Sequence, residues 1–143
     1  MTITIHRGTH EIGGSCVEIR TRQTKILLDL GLPLDFDSRP QEQQEQIRRE
    51  ALEWAQDADA IFISHYHADH HGLLPDTHQD VASYATAGTA AMMHVTEVIH
   101  GRGDADYLRH IRILAKEADG RKFEPITVGD IRITPYTVDH AAY

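Results

Sequence analysis

A short apolar run at residues 59–64, DAIFIS, passes without a spacer into HYHADHH at 65–71. That junction constrains the fold more than any other feature. The run reads as a short buried strand, and the histidines follow at its C-terminal end. His65 and His67 are two residues apart in chain that begins extended, so their imidazoles point the same way. Asp69 and His70 come next, as the chain turns. The pattern H-x-H-x-D-H therefore offers two faces. His65 and His67 can hold one metal ion, and Asp69 and His70 a second beside it. Neutral imidazoles with a carboxylate suit zinc, and also manganese or iron. With 11 histidines in 143 residues, the competing reading is a chance cluster on a solvated loop. Four candidate ligands at one fixed spacing behind a strand argue against it. The spacing also differs from the helical H-E-x-x-H pattern of metalloproteases.

The surrounding sequence supplies a frame for such a strand. TITIHRG at 2–8 and SCVEIRT at 15–21 alternate as strands do, and TKILLDLG at 24–31 reads as a more buried one. In the second, Cys16 and Glu18 face one way, Val17 and Ile19 the other. These three predict an antiparallel set. LPLDFDSRP at 32–40, with two prolines and two acids, predicts a loop. QEQQEQIRREALEWAQ at 41–56 predicts a mostly exposed amphipathic helix with a thin stripe of Ile47, Leu52 and Trp54 or Ala55. VASYAT at 81–86 predicts another strand, 88–101 a helix ended by Gly101, and 104–119 a further helix ended by Gly120. The last strands are KFEPITV and DIRITPYTVDH, joined at Gly129-Asp130. Strands and helices alternate through the middle, which makes the fold class α/β.

Totals bound the function. A chain of 143 residues suits one domain. No apolar run approaches the length of a membrane span, and the N-terminus has no basic stretch leading into an apolar block. The single cysteine, Cys16, excludes an internal disulfide and a thiolate-rich zinc site. A reducing cytoplasm is the expected compartment. The net charge of −8 opposes a broad basic face for nucleic acid, although two bound divalent ions would offset it locally.

SHYHADHH matches the S-H-x-H-x-D-H signature of the metallo-β-lactamase fold superfamily, which the chain resembles. GTHEIGGSCVEI, KILLDLG and TVDHAAY resemble the branch that holds ribonuclease J and other β-CASP nucleases. The resemblance implies the N-terminal part of an αββα sandwich, with residues 1–143 forming a partial domain. The family pattern continues beyond it, with a bridging aspartate, a further histidine and a nucleic-acid-clamping β-CASP segment. It implies His140 as a third histidine on the first ion, beside His65 and His67. Asp69 and His70 hold the second, with only two protein ligands and hence weak binding. It also implies that Asp29 supports the site from behind, so that Asp69 and Asp29 are the expected catalytic carboxylates. His71 is expected to be buried beside the ligands. Among the remaining histidines, His10 in the GTHEIGG turn is the one the family fold brings near the metals, and Gly13 and Gly14 allow a tight turn or close approach.

The expected function is a metal-dependent hydrolase, with one or two zinc ions and manganese as an alternative. Two ions about 3.5–4 Å apart lower the pKa of a shared water and stabilise charge on a phosphoryl oxygen. The branch implies an RNA phosphodiester as substrate. Two alternatives stand beside it. One is a small-molecule hydrolase of thioesters, lactones or cyclic nucleotides. The other is a non-catalytic metal-binding or interaction subunit. A half-sandwich also exposes a sheet face and edge, which favours association with another chain or copy.

Overall fold

The computed structural model describes residues 1–77, 81–103, 105–117 and 122–138. Three strands open the chain: β1 (Thr2–Arg7), β2 (Cys16–Arg20) and β3 (Lys25–Leu28), paired antiparallel in sequence order. Helix α1 (Gln41–Ala55) then crosses to β4 (Ala60–Phe62), which lies parallel to β3. The single helical turn α2 (Ala68–His71) leads to β5 (Ser83–Ala85), and α3 (Ala87–Ile99) to β6 (Ile111–Ile113). Both later strands extend the sheet in parallel, giving the order β1-β2-β3-β4-β5-β6. A separate hairpin, β7 (Ile126–Val128) and β8 (Ile131–Ile133), turns at Gly129, whose φ is +54°.

Alternation along the strands divides the core in two. Leu27, Ile61 and Ala85 face the helices and pack with Ile47, Ala51 and Ala55 of α1 and Met93 of α3. Ile26, Ala60 and Phe62 face the other way, against Ile126, Val128, Ile131 and Ile133 of the hairpin. The sheet is thus covered by helices on one face and by β structure on the other. Cys16 and Glu18 share the helical side, as their spacing predicts, and both are buried. The Glu18 carboxylate is not left bare there: Arg20 Nε donates to it at 2.8 Å, His6 Nε2 lies at 3.1 Å and Lys25 Nζ at 3.6 Å.

Two expectations need correction. The helix predicted over 104–119 is not one: the described part is a 3-10 turn at Asp106–His110 followed by β6. The Ile-Arg-Ile triplet fits a strand, and β5 presents it with an open parallel edge. The edge also takes Leu114 N–H on Ala85 C=O at 2.9 Å. Residues 104 and 118–120 of that expectation lie outside the described ones. The buried stripe of α1 is Ile47, Ala51 and Ala55, whereas Leu52 and Trp54 are only half-buried. Small alanines let the helix lie close on the sheet. Trp54 instead stacks on the His6 ring, centroids 4.8 Å apart, under the Arg7 guanidinium.

Candidate metal centre

Strands β3 and β4 are adjacent, parallel and in register at Leu28 and Phe62, so their C-terminal ends leave the sheet side by side. Such strand ends are where open α/β sheets place their sites. Asp29 leaves one end, with its N–H on Phe62 C=O at 2.9 Å, and Ser64 to His71 leave the other. Asp29 has φ +62°, the one described non-glycine residue with positive φ, a conformation that aspartate tolerates better than most. That backbone turns the buried carboxylate under the histidine loop. Its Oδ1 accepts the Ser64 N–H at 2.7 Å. Its Oδ2 accepts the Ser64 hydroxyl at 2.8 Å and is 2.7 Å from His70 Nδ1.

The α2 turn is fastened through its backbone. Leu30 N–H donates to His70 C=O, Leu32 N–H to Ala68 C=O, Ser15 N–H to Asp69 C=O, and Leu73 N–H to Leu30 C=O, all within 3.0 Å. Gly31 makes this approach possible: a Cβ there would stand 1.7 Å from the Asp69 carbonyl oxygen. A Cβ at Gly13, whose φ is +79°, would meet Asp69 Cβ at 2.9 Å. Asp69 is therefore held between two segments that are distant in sequence.

The expected ligands fall into two pairs. His65 Nε2 lies 3.1 Å from His67 Nδ1, with the rings edge to face. Two nitrogens bound at about 2.0–2.1 Å to one tetrahedral zinc stand about 3.3 Å apart, so this pair has the span of two ligands of one ion. His70 Nε2 lies 3.6 Å from Asp69 Oδ2, a comparable span. The His65 and His70 rings are 3.8 Å apart, which brings the pairs together. Among the described residues no three histidine, cysteine or carboxylate groups converge on one point. His140, expected as a third ligand, lies outside the described residues, as does His78. His10 is exposed on the loop before Gly13.

Charge follows the geometry. Burial alone would lower the pKa of His70, but the Asp29 hydrogen bond and the charges of Asp29 and Asp69 outweigh it, and the pKa rises. His71 goes the other way: burial holds its pKa below the usual value. Its Nε2 is 2.8 Å from Tyr66 C=O. With Ala68 and Gly72 it lines a cavity of about 720 Å³ that Glu97, Arg102 and Tyr107 also line. Cys16 is buried, and burial pushes its thiol up to about 12, which makes it a packing residue. Sequence reasoning missed Ser64 and Gly31. Both stood inside quoted motifs, but their partners lie about 35–40 positions away in the chain.

Comparison with known proteins decides the family. Residues 11–136 match the model described as "Metallo-beta-lactamase superfamily". The chain belongs to that superfamily. The fold also matches a solved structure, a protein of unknown function from Enterococcus faecalis. It aligns over 99% of this chain and 38% of the other, with TM-score 0.70 and 20% identity, a likeness of fold. Two curated proteins are similar in sequence. An "RNase J-like protein" of Methanocaldococcus jannaschii is 33% identical over 64% of this chain and 19% of its own length. "Transcription termination factor FttA" of Methanothermobacter thermautotrophicus is 27% identical over 96% of this chain and 23% of its own. The chain thus spans about a fifth of the length of these relatives. No described helix is long and apolar enough to cross a membrane.

Proposed function

We propose that this chain carries the metal-binding half of a nuclease-type hydrolase of the metallo-beta-lactamase superfamily, with an RNA phosphodiester as substrate. The observation that carries the reading is the pair of convergent donor sets, His65 with His67 and Asp69 with His70, standing over one buried carboxylate. The name of the RNase J-like relative supplies the substrate class. Zinc fits the imidazole-rich donors, and manganese the carboxylate. A divalent ion held there supplies Lewis acidity, which lowers the pKa of water toward neutrality and draws charge from a phosphoryl oxygen.

The chain's own residues do the rest. Asp29 keeps His70 Nε2 turned toward Asp69 by holding the opposite nitrogen. The backbone bonds from Leu30 and Leu32 fix the α2 turn, so Asp69 and His70 need not reorganise when they bind. His65 and His67 form the first site with His140, and Asp69 and His70 the weaker second one. The site belongs to a partial domain of a cytoplasmic protein, completed by another chain, another copy or further sequence. Exposed Ile3 and Ile5 on the edge strand β1 support such an association.

The test is cleavage of a labelled single-stranded RNA by protein purified without chelator. Cleavage that needs zinc or manganese, stops with EDTA and is lost in His67→Ala is the expected result. Metal binding without cleavage of RNA, cyclic nucleotide or thioester would leave a non-catalytic binding subunit. Cleavage of cyclic nucleotide or thioester alone would move the substrate to a small molecule, the class that the net charge of −8 favours.

A further inference from the structure

We propose that Ser64 is a positioning residue: its hydroxyl fixes the tautomer of His65 and ties both donor pairs to the one Asp29 carboxylate. The inference rests on the metal-site reading above. It follows from counting protons. Ser64 Oγ has one hydrogen, and Asp29 Oδ2, an acceptor only, takes it at 2.8 Å. His65 Nδ1 lies 3.1 Å from the same oxygen, so it must bring its own proton and donate to a hydroxyl lone pair. A neutral ring protonated at Nδ1 has its lone pair on Nε2, and Nε2 is the atom that lies 3.1 Å from His67 Nδ1. His70 Nδ1 lies 2.7 Å from Asp29 Oδ2 and 3.2 Å from Ser64 Oγ, so it too is the protonated nitrogen, and its Nε2 faces Asp69.

For His65 this is work against an intrinsic bias. A neutral imidazole in water favours the proton on Nε2, which would block the donor atom. Asp29 cannot correct this directly, because its near oxygen already serves the hydroxyl and His70. Ser64 carries the carboxylate's influence one bond further, from the second donor pair to the first. Its backbone N–H is already held by Asp29 Oδ1 at 2.7 Å and the residue is exposed, so removing the hydroxyl costs those side-chain contacts and little packing.

The experiment compares wild type with Ser64→Ala and Ser64→Thr. Long-range proton–nitrogen NMR on metal-free, histidine-labelled protein reads the tautomers at a pH where the rings are neutral. Wild type should show His65 and His70 both protonated at Nδ1. In Ser64→Ala, His65 should shift to the Nε2 form while His70, still held by Asp29, stays. Ser64→Thr should restore the wild-type pattern. Competition titration with zinc should show about 10–100-fold weaker binding in the alanine variant and near-normal binding in the threonine one. An unchanged His65 tautomer in Ser64→Ala, or unchanged zinc affinity, would overturn the role. Failure of wild type to bind zinc would instead sink the metal-site reading, while the tautomer result would still judge Ser64.

Discussion

Asp29 carries three contacts on two oxygens and does so from a left-handed backbone. Its replacement by asparagine separates the two demands. Asparagine tolerates that backbone as well as aspartate does, but its amide cannot accept at both positions. Asp29→Asn should therefore keep its fold, seen as a cooperative urea transition, and bind zinc about 10–100-fold more weakly by competition titration. Glycine positions make a second test. Gly31→Ala drives a methyl into the Asp69 carbonyl and should cost about 3 kcal/mol in urea unfolding, with loss of metal from the Asp69–His70 pair. Gly101→Ala meets nothing within 4 Å and should cost only the backbone term of a positive φ, about 1–2 kcal/mol, with metal binding intact. At this scale the sequence was legible where residues recur at short spacing: His65, His67, Asp69 and His70 stand close together in the fold, as their spacing suggests. Ser64 and Gly31 carry no such signal, because what defines them is a partner brought in by the fold.

Elements were legible where one face alone decides. β1 and β2 alternate in sequence, β3 is a compact run buried on both faces, and α1 and α3 carry helical patterns, so all five came close to their observed bounds. The segment after α3 failed because Leu108 and Ile111 stand at a helical spacing while Ile111 and Ile113 fit a strand, and the edge of β5 takes the strand. The same region holds a titration test. Glu97 of α3 is buried; Arg102 Nε donates to it at 2.7 Å and Tyr107 Oη at 3.2 Å, and the Arg102 contact above all lowers its pKa. A lowered folded pKa means that the unfolded chain binds more protons as pH falls. The stabilisation from Glu97 is then complete above the unfolded glutamate value of about 4.3 and disappears below it. Glu97→Gln should be less stable than wild type at neutral pH, and the gap should close in acid. Urea midpoints for both proteins across that range check the sign.

For the whole molecule, the parallel strands β3 and β4 set Asp29, His65, His67, Asp69 and His70 at one end of the sheet, and the hairpin β7–β8 covers the middle of the face away from the helices. Toward β1 that cover gives out: Ile3 and Ile5, opposite Ile19 and Val17, stand 60% and 55% exposed. Sedimentation over a dilution series should show association, and Ile3→Lys with Ile5→Lys should abolish it without lowering zinc content. The α/β class could be read from the alternating pattern and the signature together, but the strand order could not. Strand pairing across the sheet is a long-range choice that local spacing does not encode. The measurement that bears most directly on the proposed function is elemental analysis of chain purified without chelator, beside His67→Ala and Asp69→Ala. Zinc or manganese in wild type, lost or halved in each variant, is the expected result. A wild type without metal, or variants that keep a full complement, would contradict it.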